Sequence, residues 1–237
     1  MLRKGCMHKH PVFFLYAFPF LRKCLILPKQ FAEPIMSDLQ NNWSERVIIV
    51  DCSFMDKLLA DFTAHFSQAI GRPLSKADLC HWLDCLLLDA GIDVRGEQFV
   101  AFIHAKGAAA MEGMEPGRFA DLNGQAFEDR LGEFVMQCYP VERITSASEF
   151  VDESLRAAME APGVKHILVV ADMLDYGERL RESVRQRRKM LETRQQPAPE
   201  QRITFFTMHP TPPSALFGEA ILGYSVMSAL GIRGDEV

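Results

Sequence analysis

Hydrophobic positions along this chain fall into short continuous runs separated by longer stretches with helical spacing. Four runs predict buried strands: RVIIVD (46–51), QFVAFIHA (98–105), HILVVA (166–171) and RITFFTM (202–208). Their interiors lack charged residues and are rich in β-branched or aromatic side chains, as in strands that are covered on both faces. Between the runs, apolar residues recur every three or four positions, which is the spacing of amphipathic helices.

The helical spacing predicts six helices, and they separate the strands. They cover residues 54–70, 79–90, 127–138, 149–161, 176–191 and 214–230, with Gly71 and Ser148 at helix ends, while residues 106–124 are predicted as a mobile loop. Strands that alternate with helices in this way predict a three-layer α/β/α domain with a mostly parallel sheet of about four or five strands. No glycine-rich nucleotide-binding motif is present in the sequence.

The first 35 residues differ in charge and hydropathy from the rest. They carry six basic residues and one acidic residue, and the apolar stretch between Pro11 and Leu21 is too short for an ordinary transmembrane helix. Met36 begins a polar lead into the first predicted strand. We therefore interpret residues 1–35 as a disordered extension or a misassigned start, with a signal or anchor segment as the alternative, and residues 36–237 as one domain.

Net charge and cysteine spacing limit the classes of function that fit this chain. Residues 36–237 retain 20 basic and 30 acidic residues, a balance that disfavours nonspecific binding to nucleic acid. Six cysteines are present without a C-x-x-C pair, which is typical of reduced thiols in a cytoplasmic protein. We expect no membrane partner for this part of the chain.

Several acidic residues are predicted to gather at the carboxyl ends of the strands. Asp51 ends the first strand, Asp172 and Asp175 follow the third, and Asp152 lies near the start of the helix before it. Ligand sites in parallel sheets form outside these strand ends. Carboxylates that share a crevice repel one another unless a hard cation such as Mg²⁺ or Mn²⁺ binds them, so we predict these four as metal ligands. The alternative is that each acid only caps or charges a helix N-terminus.

These segments resemble a known family. The order of RVIIVD, FVDESL, VADMLDYG and RITFFTM resembles the NYN branch of the PIN-like nucleases over roughly residues 46–230. The resemblance implies a divalent-metal-dependent endoribonuclease with Asp51 and Asp172 as catalytic residues and RNA as its partner. From Val47 onward the chain also resembles an uncharacterised bacterial protein family.

Departures from the NYN pattern support a second hypothesis. Phe54 replaces the family's Asn, and two residues separate Asp172 from Asp175 where the family has one. These changes favour a catalytically inactive fold that acts as a protein-binding or self-associating module, with a homo-oligomer as one form.

The remaining candidates are basic side chains. Residues 178–194 form an arginine-rich helix, in which Arg181, Arg185 and Arg188 are candidate phosphate ligands. A solvated helix face with ion pairs at i,i+4 is the alternative. His104 and His209 end predicted strands and are expected near the same rim as the acids.

Overall fold

A computed structural model describes residues 27–28, 43–141, 146–197 and 199–236 of the chain. The interpretation of residues 1–35 therefore concerns residues that lie outside the described ones, apart from a two-residue strand. No helix in the described residues is long and apolar enough to cross a membrane.

The strands form one large sheet and one small one. They are β1 (Leu27–Pro28), β2 (Arg46–Asp51), β3 (Ala77–Asp78), β4 (Gly96–Ala105), β5 (Met114–Glu115), β6 (Gln125–Asp129), β7 (Gly132–Val141), β8 (His166–Val170), β9 (Arg202–Thr207) and β10 (Gly218–Ile221). The large sheet has the order β1-β6-β7-β4-β2-β8-β9-β10, and β3 pairs with β5. All neighbours from β7 to β10 are parallel, while β6 pairs antiparallel with β1 and β7.

Helices cover both faces of the large sheet. They are α1 (Cys52–Ile70), α2 (Leu79–Asp89), α3 (Phe119–Leu122), α4 (Ala147–Glu160), α5 (Gly177–Thr193) and α6 (Leu222–Ala229). Alternate residues of β2 point to opposite faces: Ile48 belongs to a core cluster with residues of α1, α2, α3 and α6, and Ile49 to a second cluster with residues of α4 and α5. This arrangement confirms the predicted three-layer α/β/α fold with a mostly parallel sheet.

The predicted helix over 127–138 is wrong, because this segment forms the β6–β7 hairpin. Phe127 and Phe134 are direct cross-strand partners, and their rings stack with centroids 4.5 Å apart. Gly132 adopts a φ of 114°, and a Cβ there would lie 1.8 Å from the carbonyl oxygen of Gly96. An apolar run with mixed spacing forms a strand pair here, and this pair supplies two of the four unpredicted strands of the large sheet, the others being β1 and β10.

Two other predicted helices have different ends. The segment predicted as a terminal helix first forms edge strand β10, and α6 begins only at Leu222. At α4 the cap is Ser146 rather than Ser148: its hydroxyl accepts a hydrogen bond from the backbone amide of Glu149, whose carboxylate accepts one from the Ser146 amide. As a result Asp152 lies in the second turn of α4 instead of the first.

Candidate functional site

The sheet reverses its winding direction between β2 and β8. From β2 the chain moves outward through β4 to β7, then returns to β8 on the other side of β2 and continues to β10. Ligands of such sheets bind outside the carboxyl ends of the strands, at the point of reversal. We call the ends of β2, β8 and β9 with the segments that follow them the carboxyl edge, and Asp51, Asp172 and Asp175 all lie there.

Asp51 is buried at the end of β2, and both of its carboxylate oxygens are hydrogen-bonded. As the N-cap of α1, its Oδ1 accepts hydrogen bonds from the backbone amides of Ser53 at 3.0 Å and Phe54 at 3.2 Å. Its Oδ2 accepts a hydrogen bond from the Tyr176 hydroxyl at 2.6 Å. Because Tyr176 lies just before α5, this bond joins the segments after β2 and β8 across the point of reversal.

Tyr176 is a site residue that the sequence pattern did not identify. Burial, followed by the neighbouring Asp51 carboxylate, raises the pKa of Tyr176 far above its usual range. The phenol therefore stays protonated and keeps donating to Asp51. An aromatic residue at a strand–helix junction was the available signal, and it does not indicate which acid it will contact.

Asp172 caps a turn at the carboxyl edge. Its Oδ1 accepts hydrogen bonds from the backbone amides of Leu174 and Asp175, both at 3.1 Å. Its backbone carbonyl accepts a third from the amide of Tyr176 at 3.0 Å. The Asp175 side chain is exposed. Asp172 thus holds the backbone that places Tyr176 against Asp51.

Asp152 is buried between α4 and α5, where cations of the protein neutralise it. Its Oδ1 accepts a hydrogen bond from the Ser183 hydroxyl at 2.5 Å. Its Oδ2 lies 3.1 Å from Nη2 of Arg156 and 3.4 Å from Nε of Arg179. A buried carboxylate needs such partners because it has lost its hydration.

These contacts show how the four predicted metal ligands are placed. Within the described parts of the chain, no three His, Cys, Asp or Glu side chains form a group that could hold a metal ion. Asp51, Asp152, Asp172 and Asp175 are therefore not assembled as one set of ligands. The physical reason is that amides, a phenol and two guanidinium groups satisfy the first three acids, while the fourth is exposed. The catalytic roles predicted for Asp51 and Asp172 depended on that set.

The three candidate phosphate ligands on α5 are all ion-paired. The pairs are Arg181–Glu219 (3.0 Å), Arg185–Glu178 (2.6 Å) and Arg188–Glu192 (2.8 Å). Arg185 also lies 3.3 Å from Glu182. Arg181 is largely buried with its partner, and the other two form exposed pairs along the helix. A solvated helix face with ion pairs, which was the alternative prediction, describes Arg185 and Arg188, whereas Arg181 is buried against Glu219 of β10.

The two candidate histidines have different surroundings. His104 is buried, and its ring stacks on Phe119 with centroids 3.9 Å apart. Burial lowers the pKa of His104, so it is neutral at physiological pH. His209 is exposed at the end of β9. Of the two, only His209 lines a cavity at the carboxyl edge.

That cavity is a cleft of about 160 Å³ between the ends of β8 and β9. Its walls are mainly apolar and include Phe54, Met173 and Met208, with Asp172 among its polar groups. Leu174 also lines it, although 81% of the Leu174 surface is exposed. The carboxyl edge therefore combines an apolar cleft, an exposed apolar side chain and neighbouring carboxylates.

Comparison with known protein families identifies the family of this chain. A model of a family of unknown function, DUF6621, matches residues 40–237, which is most of the chain. The chain belongs to the DUF6621 family. No curated protein and no solved structure matches it.

Proposed function

We propose that this DUF6621 protein is a non-catalytic binding module that docks a segment of another protein at its carboxyl edge. The observation that carries the proposal is Leu174, an 81% exposed leucine beside an apolar cleft. Apolar anchors that enter such clefts supply much of the affinity in protein interfaces. The cleft volume of about 160 Å³ suits one apolar side chain of a partner.

Charge at this edge indicates the chemistry of the partner. Asp172 and Arg181 both line the cleft, but Arg181 is paired with Glu219. Among the described residues the Asp175 side chain is unpaired, and it is exposed beside Leu174 in the chain. Carboxylates around an apolar cleft favour an apolar residue that is flanked by lysine or arginine, because opposite charges steer association and set register. A second copy of this chain would bring the same carboxylates together, which disfavours self-association through this edge.

The nuclease hypothesis receives less support from the site. Metal-dependent phosphodiester cleavage needs carboxylates that are free to bind the cation. Here the buried acids Asp51 and Asp152 already have protein partners. Their arrangement stabilises the fold and offers no metal-binding group.

The binding proposal is tested with a displayed library of random peptides. The selection uses the wild type, Leu174→Asp, and Val94→Asp as a matched control, because Val94 is another apolar residue with 61% exposure. We expect wild type and Val94→Asp to enrich peptides with an apolar residue next to Lys or Arg, and Leu174→Asp to lose them. Failure to enrich such peptides, or equal enrichment by Leu174→Asp, overturns the proposal.

The metal hypothesis is tested separately by thermal unfolding with and without millimolar Mn²⁺. An ion that binds only the native state raises the melting temperature by mass action. We expect no rise beyond that produced by the same concentration of Ca²⁺. A Mn²⁺-specific rise that disappears in Asp172→Asn would restore the nuclease hypothesis, and an RNA cleavage assay would follow.

A further inference from the structure

We propose that a cleft between α4 and α5 binds a small phosphorylated molecule, with Arg187 and Arg156 as the phosphate ligands. This site is separate from the carboxyl-edge cleft. It has a volume of about 240 Å³ and is lined by Arg156, Met159, Glu160, Ser183, Gln186, Arg187 and Met190. The proposal does not depend on the binding module described above.

The first observation is the state of Arg187. Its side chain is only 18% exposed, and in the described residues its nearest carboxylate is that of Glu160, with 3.9 Å between Nη1 and Oε1. That distance is too long for a hydrogen bond. Burial lowers the pKa of Arg187, a sign that its charge is poorly compensated. Among the described residues the Arg187 guanidinium group has no partner within hydrogen-bond distance, and it lines the cleft, whereas Arg185 and Arg188 have close partners.

The second observation is a surplus of positive charge along the same side. Arg156 and Arg179 share the single buried carboxylate of Asp152, at 3.1 and 3.4 Å. Asp152 therefore neutralises only one of these two guanidinium groups. Arg156 also donates to the hydroxyl of Ser183 at 3.0 Å, which fixes its position at the cleft wall.

The one carboxylate beside Arg187 is easily displaced. Glu160 is 60% exposed, so its side chain can turn into solvent when an anion arrives. When Glu160 turns away, Arg156 and Arg187 are the charged residues that line the cleft, and the carboxylate nearest to Arg156 is that of Asp152, which also pairs with Arg179. A phosphate group carries about −1.5 to −2 at neutral pH and accepts hydrogen bonds from several directions. It matches donors from two helices better than a planar carboxylate does.

The dimensions select a small ligand. Drug-sized ligands occupy clefts of roughly 300–1,000 Å³, so the 240 Å³ here suits a phosphate with a compact organic group. Met159 and Met190 offer apolar contact to that group. A second cleft of about 150 Å³ shares Met159 and Arg187 with the first, and extends the space on the far side of the guanidinium group.

Titration calorimetry on the full chain tests the site with phenyl phosphate, inorganic phosphate and benzoate. We expect saturable binding of both phosphates, with phenyl phosphate tighter because its ring contacts the methionines, and binding of benzoate at least tenfold weaker. Arg187→Met keeps the apolar stem and should weaken phenyl phosphate at least tenfold. Arg185→Gln is the matched control on the same helix and should change the affinity less than twofold.

A second variant protects the test against a folding defect. Gln186 is exposed, so Gln186→Glu adds a negative charge to the cleft without disturbing the core. It should weaken phenyl phosphate about as much as Arg187→Met does. No saturable binding to the wild type, equal loss in Arg185→Gln and Arg187→Met, or unchanged affinity in Gln186→Glu would each overturn the proposal. Benzoate binding as tight as phenyl phosphate binding would instead assign the cleft to carboxylates and equally refute it.

Discussion

Replacing Tyr176 by Phe tests whether the Tyr176–Asp51 hydrogen bond stabilises the native sheet. The variant keeps the ring and removes only the hydroxyl that donates to Oδ2 of Asp51 at 2.6 Å. Asp51 is 4% exposed, so water cannot readily replace the lost donor. Oδ1 keeps its two amide donors from the first turn of α1. The change therefore isolates one short hydrogen bond to a buried carboxylate.

The expected loss follows from that geometry. A hydrogen bond to a charged group contributes about 1.5–3 kcal/mol to the free energy of unfolding. For a domain of this size each kcal/mol shifts the melting temperature by roughly 2–4 °C. We expect Tyr176→Phe to lower the free energy of unfolding by about 1.5–3 kcal/mol. Urea titration with fluorescence detection gives this value, and calorimetry gives the melting temperature.

Tyr224→Phe is the control, because Tyr224 is 70% exposed and its hydroxyl should contribute less than about 0.5 kcal/mol. A double-mutant cycle with Asp51→Asn then measures the interaction itself, since coupled residues show non-additive losses. The reasoning is refuted if Tyr176→Phe is as stable as the wild type, or if the losses from Tyr176→Phe and Asp51→Asn simply add.

Three further predictions concern the hairpin, a buried histidine and the α4–α5 ion pairs. Gly132→Ala should lower the free energy of unfolding by more than about 3 kcal/mol, because the new Cβ would overlap a backbone carbonyl. Gly163→Ala is the control: its Cβ would enter open space, and the same urea titration should show a loss of less than about 1 kcal/mol. Burial lowers the pKa of His104, so the unfolded chain binds more protons at this residue than the native state does. The free energy of unfolding should therefore fall as the pH drops below about 6.5, the usual pKa of histidine, towards the lowered pKa of the native state. His104→Gln should flatten that fall in urea midpoints measured between about pH 7.5 and 5.5, and an unchanged slope would contradict this. Asp152→Asn should lower the free energy of unfolding by about 1–3 kcal/mol. Arg156→Gln should lower it by less than about 1 kcal/mol, because Arg179 still pairs with Asp152. The reverse order in thermal melts would show that Arg156 is the essential partner.

The fold class was predictable from the sequence because the parallel strands are covered on both faces. The interiors of runs such as RVIIVD and HILVVA are apolar, and each run forms a strand in the centre of the sheet. The β6–β7 hairpin was not predictable in the same way, since Phe127 and Phe134 are seven residues apart, a spacing that suits a helix as well as a strand pair. Cross-strand stacking and a glycine at positive φ favour the strand pair over a helix, and the spacing of apolar residues reveals neither feature.

The location of Asp51, Asp172 and Asp175 was predictable, but that of Asp152 and the partners of all the buried acids were not. A strand that ends in Asp51 and continues into a helix looks the same whether the acid caps the helix or binds a ligand. The deciding contact is the hydroxyl of Tyr176, which is 125 residues away in the sequence. Local sequence patterns do not predict this hydrogen bond, because the Tyr176 hydroxyl lies near Asp51 only once β8 has paired with β2.

The same limit applies to the arginine-rich helix, where local spacing does not show which arginines acquire ion-pair partners in the folded chain. Pairs such as Arg188–Glu192 follow from i,i+4 spacing and leave little charge for a ligand. Arg187 differs because its position on α5 turns it towards α4, where its nearest carboxylate among the described residues is distant and mostly solvated. An anion site on a surface helix is thus found where tertiary packing separates a cation from its helical partners. Arg187, in the cleft between α4 and α5, meets that condition. Arg185 and Arg188, which pair with acidic residues of their own helix, do not.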